Sequence, residues 1–166
     1  MSNVNIIEEL AGVRLGSPLA QTLLARVDIM KLSQASYDAI IRPREPGGLS
    51  HAERSALAAR MARQNADETL AEHYMGKLQE ACADPKLNEP ILPGEVANYG
   101  KRLNAIVRHM DLLTREPKEA TRADITALKD AGISEPDIVR LSELAAFVNY
   151  QVRVIAGLKM LKGMLG

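Results

Sequence analysis

The chain has 166 residues and no net formal charge, with 21 Lys plus Arg against 21 Asp plus Glu. That is enough chain to bury one core, and the charge balance supplies no broad basic surface for nucleic acid or anionic membrane. Hydrophobic residues make up 46% but aromatics only 3%, with no Trp, so an aliphatic core of closely packed helices is expected rather than a β-sandwich. No apolar run approaches the ~18–20 residues of a membrane span. The opening MSNVNIIEEL is acidic and lacks the basic and apolar regions of a signal peptide. The single Cys82 excludes an intramolecular disulfide. These features fit a cytoplasmic protein.

Ser17-Pro18 is a helix start, a hydroxyl cap followed by a proline whose missing N–H costs nothing there. Leu19, Leu23, Val27 and Met30 then repeat at three- and four-residue spacing, and helical character extends through Tyr37 to Ile41. Pro43 stops it, and Arg44 to Gly48 is a loop by composition. Ser50 and Glu53 form an S-x-x-E capping box for the next helix, which carries Leu57 and Met61 inward and ends near Gln64. A further helix runs from about Asp67 to Ala83 with Leu70, Tyr74 and Leu78 along one face.

Asp84 to Pro93 holds three prolines and is the longest irregular connection. Glu95 to Arg115 is amphipathic through Val96, Leu103, Ile106, Val107, Met110 and Leu113. Thr121 with Asp124 starts a short helix that Gly132 stops. Ser134 caps a long final helix, with Glu135 and Asp137 complementing its dipole. Its seam is Ile138, Leu141, Ala145, Val148, Val152 and Ile155. No strand of convincing alternation appears, so the predicted class is all-α. The 166 residues form one domain: N-terminal helices over 1–48, a hairpin over 49–83, and C-terminal helices over 95–163.

The hairpin carries the most information. Leu49 to Leu78 reads LSHAERSALAARMARQNADETLAEHYMGKL. It resembles the active-site hairpin of the AhpD-like / carboxymuconolactone decarboxylase superfamily. In the redox, alkylhydroperoxidase-related branch, E-R-E on the first helix leads to N-x-C-x-x-C and two tandem histidines on the second. Glu53 and Arg54 fit the opening, Asn65 the asparagine and His73 the first histidine. Ser55 stands at the second glutamate, Asp67 and Leu70 at the two cysteines, and Tyr74 at the relay histidine. A second tract, DLLTREPKEATRADITALKDAGISEPDIVRLSELAAFVNYQVRV, is similar to the C-terminal half of the peroxidase-related proteins. Leu113, Thr114, Pro117, Ala131, Gly132, Ile133, Ser134 and Glu135 fit its order, and Phe147, Asn149 and Arg153 approximate its end. The two tracts cover roughly two-thirds of the chain.

The resemblance implies an AhpD-like helical bundle that assembles as a dimer, trimer or hexamer. In redox members it implies a peroxidatic thiolate, a resolving thiol one turn away and a glutamate–histidine relay. That chemistry needs a thiolate and a second sulfur within disulfide reach. Asp67 and Leu70 supply neither, so a CxxC-dependent peroxidase is excluded on this pairing, and shifting the alignment by one residue still finds no cysteine. The expectation is a non-redox or accessory homo-oligomer, with itself and an active AhpD-like homologue as partners.

The rival reading is a cofactor-free lyase or isomerase of the decarboxylase type. Asp67 and Tyr74 share a helix face two turns apart, and a carboxylate and a phenol suit proton abstraction beside a carbonyl. His73 and Ser55 complete that degenerate site. An antioxidant role through Cys82 stands third. Cys82 lies nine residues past His73, about 13 Å along the helix, and reads as a small buried group.

Plainer readings exist for the other residues: Asp67 as a helix cap, and His73 on a solvated face with Thr69 and Lys77. His51, His73 and His109 are too scattered for a local metal motif, so neither metal nor cofactor is expected. Ala123 to Ala146 has the outline of a helix-turn-helix. Its second helix opens on acids and offers only Arg140 as a base reader in its first two turns, so DNA binding is not expected.

Overall fold

The computed structural model describes residues 5–82, 91 and 100–165. The Pro-rich connection read over 84–93, and the start of the helix read from Glu95, fall largely outside them. Every regular element among the described residues is a helix: α1 (Ile6–Leu10), α2 (Pro18–Leu24), α3 (Val27–Ile41), α4 (His51–Gln64), α5 (Glu68–Ala81), α6 (Lys101–Arg115), α7 (Arg122–Asp130) and α8 (Glu135–Leu165), with a 3-10 turn at Pro117–Glu119.

Local chemistry accounts for most of the ends. Ser17 Oγ accepts from Ala20 N at 3.2 Å and starts α2. Both bonds of the Ser50–Glu53 box are made, at 3.1 and 2.9 Å. Glu53 also pairs with Arg102 at 2.6 Å, tying α4 to α6. Thr121 and Asp124 form a second box at α7. Gly132, at φ 83°, closes α7 with a 6→1 bond from Ile133 N to Leu128 O. Arg42 is held out of helical geometry by Pro43 behind it, which ends α3.

Two features depart from the sequence reading. The helix read through from Ser17-Pro18 is two helices. Ala25 N and Arg26 N bond three residues back, to Thr22 O and Leu23 O, which tightens the last turn and ends α2 before α3 begins. Val27, read on the apolar repeat, is therefore exposed. The second departure is α1, which the reading did not identify. It is five residues long, capped by Asn5 (Ile7 N to Oδ1, 2.8 Å) and opened by Glu8 and Glu9.

Helix α8 is the spine, 31 residues long, or about 46 Å. It packs against α1, α2, α3, α4, α6 and α7. Its seam residues Ile138, Leu141, Ala145, Val148 and Ile155 are all buried within the protomer. The hairpin of α4 and α5 is the most closely packed pair, and Leu57, Met61, Leu70, Tyr74 and Leu78 are fully buried. The loop before α4 docks on the start of α8, where Gly48 N donates to Asp137 Oδ1 at 2.9 Å. Gly47 takes φ 67°, a conformation that favours glycine, and a Cβ there would lie 2.5 Å from the Arg140 guanidinium and force it to shift.

Candidate functional site

The turn between α4 and α5 sets the geometry of the hairpin. Asn65 ends α4, Ala66 takes the left-handed conformation at φ 57°, and Asp67 N bonds back to Ala62 O at 3.0 Å. With Ala66 N on Arg63 O at 2.9 Å, this is a Schellman stop built without glycine. Asp67 then caps α5, its Oδ1 accepting from Leu70 N at 3.1 Å and lying 3.4 Å from Lys159 Nζ on α8. Leu70 points into the core and is fully buried. Asn65 Nδ2 donates to Met61 O at 2.9 Å and to Asn149 Oδ1 at 3.3 Å. The asparagines of the two signature tracts thus meet.

Ser55 is buried on α4, and its hydroxyl donates to His51 O one turn back at 2.8 Å. That bond stays within the helix and presents no hydroxyl to a partner element. Arg54 beside it is 2% exposed and donates to the carbonyls of Leu49 (3.1 Å), Ile40 (3.0 Å) and Pro46 (2.8 Å). Burial first, then the nearby Arg140, lowers its pKa, opposed by Asp137, Glu143 and Glu53.

His73 and Tyr74 form the centre of an aromatic cluster. His73 Nε2 and Tyr37 Oη are 2.7 Å apart. Burial, then Lys77, brings His73 down to about 4 against the pull of Glu80. Burial, then Asp38 and Glu80, pushes Tyr37 up to about 12. At neutral pH the bond therefore joins two uncharged groups. Tyr74 is fully buried, stacks near Tyr37 with centroids 6.3 Å apart, and donates to Gln151 Oε1 on α8. Burial and Tyr37 raise its pKa well above the ordinary phenol. The other Gln151 amide atom, Nε2, is buried without a partner. Nearby, Ser33 and Tyr150 share a 2.7 Å bond between α3 and α8.

The structure thus brings His73 and Tyr74 together, with Tyr37 and Gln151, and engages Ser55 and Asp67 elsewhere. His73 is half-buried against Tyr37 rather than on a wholly solvated face. Ser55 is engaged with a backbone carbonyl, Asp67 with a backbone N–H and Lys159, His73 with Tyr37, and Tyr74 with Gln151. Tyr37, Gln151, Lys159 and the structural use of Arg54 went unread in the sequence. Gln151 offered a signal, because it is a polar residue on α8 between the seam positions Val148 and Ile155.

Two cavities lie elsewhere. One of about 300 Å³ is lined by residues of the α1–α2 connection and the end of α8. The other, of about 190 Å³, lies between α6 and α7 and includes His109, whose ring nitrogens are buried without partners. Neither includes Ser55, Asp67, His73 or Tyr74. Among the described residues no three His, Cys, Asp or Glu side chains gather as a metal site, and no helix is long and apolar enough to cross a membrane.

No family model matches the chain and no curated protein matches it. Among solved structures it is similar to an uncharacterized peroxidase-related protein from Silicibacter sp. TM1040, with a TM-score of 0.69 at 22% identity over 79% of this chain and 68% of that one. The chain shares the fold of that protein. At that identity the likeness describes the fold alone, and the chemistry of the hairpin rests on this chain's own residues.

Proposed function

We propose that this protein is a non-redox, AhpD-like accessory protein that acts by assembling with itself, and with an active AhpD-like homologue where one is present. The observation that supports this most is the state of the two thiol positions. Asp67 is a helix cap bridged to Lys159, and Leu70 is a fully buried core residue. Both positions serve the packing of the hairpin. Assembly draws support from apolar residues left outside the protomer core: Leu24 is 69% exposed, Ile29 52% and Leu32 64%. Ile29 and Leu32 are neighbours on one face of α3.

Multi-angle light scattering tests the assembly directly. A discrete oligomer is expected, converted to smaller species by Leu32→Glu, and a monodisperse monomer would refute it. The decarboxylase-type reading is separated by Asp67→Asn. Asparagine caps a helix about as well as aspartate, so little change in stability and none in oligomer size is expected. Loss of a measurable lyase or isomerase turnover in that variant would establish the enzyme instead.

A further inference from the structure

Helix α3 is covered by the protomer on one side only. Met30, Ser33, Tyr37 and Ile41 are its buried residues. At about 100° per residue, the side opposite them carries Asp28, Leu32, Ala35 and Ala39, all exposed. Ile29 and Ser36 flank this stripe along one edge, Lys31 and Asp38 along the other, and these four are exposed as well. The alternating four- and three-residue spacing of the stripe is that of a helix-pairing seam.

A second copy fits the stripe in one orientation. When two such helices run antiparallel about a two-fold axis, Leu32 of each lies against the partner's Ala35, and Asp28 at each end passes the partner's Ala39. The alanines lack the bulk that would hold the helices apart. Ile29 meets the partner's Ser36 along one edge. Along the other, Lys31 comes beside the partner's Asp38, twice in the symmetric pair. Edge charges of this kind set partner choice and orientation. Lys31 and Asp38 form no ion pair among the described residues, and Asp38 accepts from Gln34 Nε2 through Oδ1 at 3.1 Å. A parallel pair would instead set Lys31 against the partner's Lys31, a like-charge contact that costs free energy. An anionic membrane is the poorer occupant, because it would meet Asp28 and Asp38 as well as Lys31.

We propose, on the basis of the self-assembly inferred above, that α3 pairs antiparallel with the α3 of a second copy, with Leu32 and Ala35 at the centre and Lys31 joined to Asp38 across the edge.

Sedimentation equilibrium of the full-length protein reads the dissociation constant of the assembly. Lys31→Glu and Asp38→Lys, both at exposed positions, should each weaken it about tenfold, since each puts like charges at both edge contacts. Mixed in equal amounts, the two variants should associate nearly as tightly as the wild type. Every edge contact between a chain of one kind and a chain of the other again joins opposite charges. Arg122→Glu, exposed on α7, should change nothing. An assembly that ignores both edge substitutions, or that mixing does not restore, would overturn the α3 pairing and leave self-assembly itself standing. A wild-type monomer would remove both.

Discussion

Ala66 bears the strain of the hairpin turn. A left-handed conformation costs a non-glycine residue about 1–2 kcal/mol, and Ala66 is the non-glycine that adopts one among the described residues. Ala66→Gly removes that cost and adds some chain entropy to the unfolded state. The expected net result is a stabilisation of about 1 kcal/mol, read as a higher denaturant midpoint at unchanged slope.

His73 carries a pH signature. Its folded pKa of about 4 lies below the ordinary 6.5. Between those values the unfolded chain binds the proton and the folded chain does not, so stability falls as pH drops from 6.5 towards 4. Buried His109, also lowered, first by burial, contributes in the same direction. In His73→Gln the fall over that range should shrink but persist, as measured by denaturant unfolding at stepped pH. An unchanged slope would contradict the placement of His73. None of this was legible in the sequence, because the burial of His73 depends on Tyr37, 36 positions away. Asp67, by contrast, was readable as a cap from its neighbours alone.

At the scale of elements, Arg54 fastens three segments to one another: the end of α3, the loop at Pro46 and the start of α4. Replacement by Met would keep much of the volume but leave three carbonyls short of a donor. A loss of about 3 kcal/mol is expected, whereas Arg63→Met, at a partly exposed surface pair, should cost under about 1 kcal/mol. Equal effects on the unfolding midpoint would show that Arg54 is not such a fastener.

Elements with chemical punctuation were legible. The Ser50–Glu53 and Thr121–Asp124 boxes and the Gly132 stop lie where expected, and Leu70, Tyr74 and Leu78 share one buried face. The break at Ala25 and Arg26 was not legible, since no proline or glycine marks it and only a tightened last turn creates it. Helix α1 was too short for periodicity to register, although Asn5 followed by Glu8 and Glu9 is the pattern of a capped start.

At the scale of the molecule, the long seam of α8 could serve either the protomer core or a partner copy. In the structure it is consumed inside the protomer by contacts with α3, α4 and α6. The exposed apolar side chains of α2 and α3 are left available to a partner copy. The fold that results is shared with a peroxidase-related protein, and the turn between α4 and α5 is closed by a carboxylate cap and a core leucine.

Dithiol-dependent consumption of hydrogen peroxide and an organic hydroperoxide, by the wild-type protein and by Cys82→Ser, tests that account most directly. We expect both proteins to match the uncatalysed rate. Turnover that depends on the dithiol and survives Cys82→Ser would contradict the proposed non-redox role outright, and turnover that Cys82→Ser removes would restore an antioxidant role through that residue.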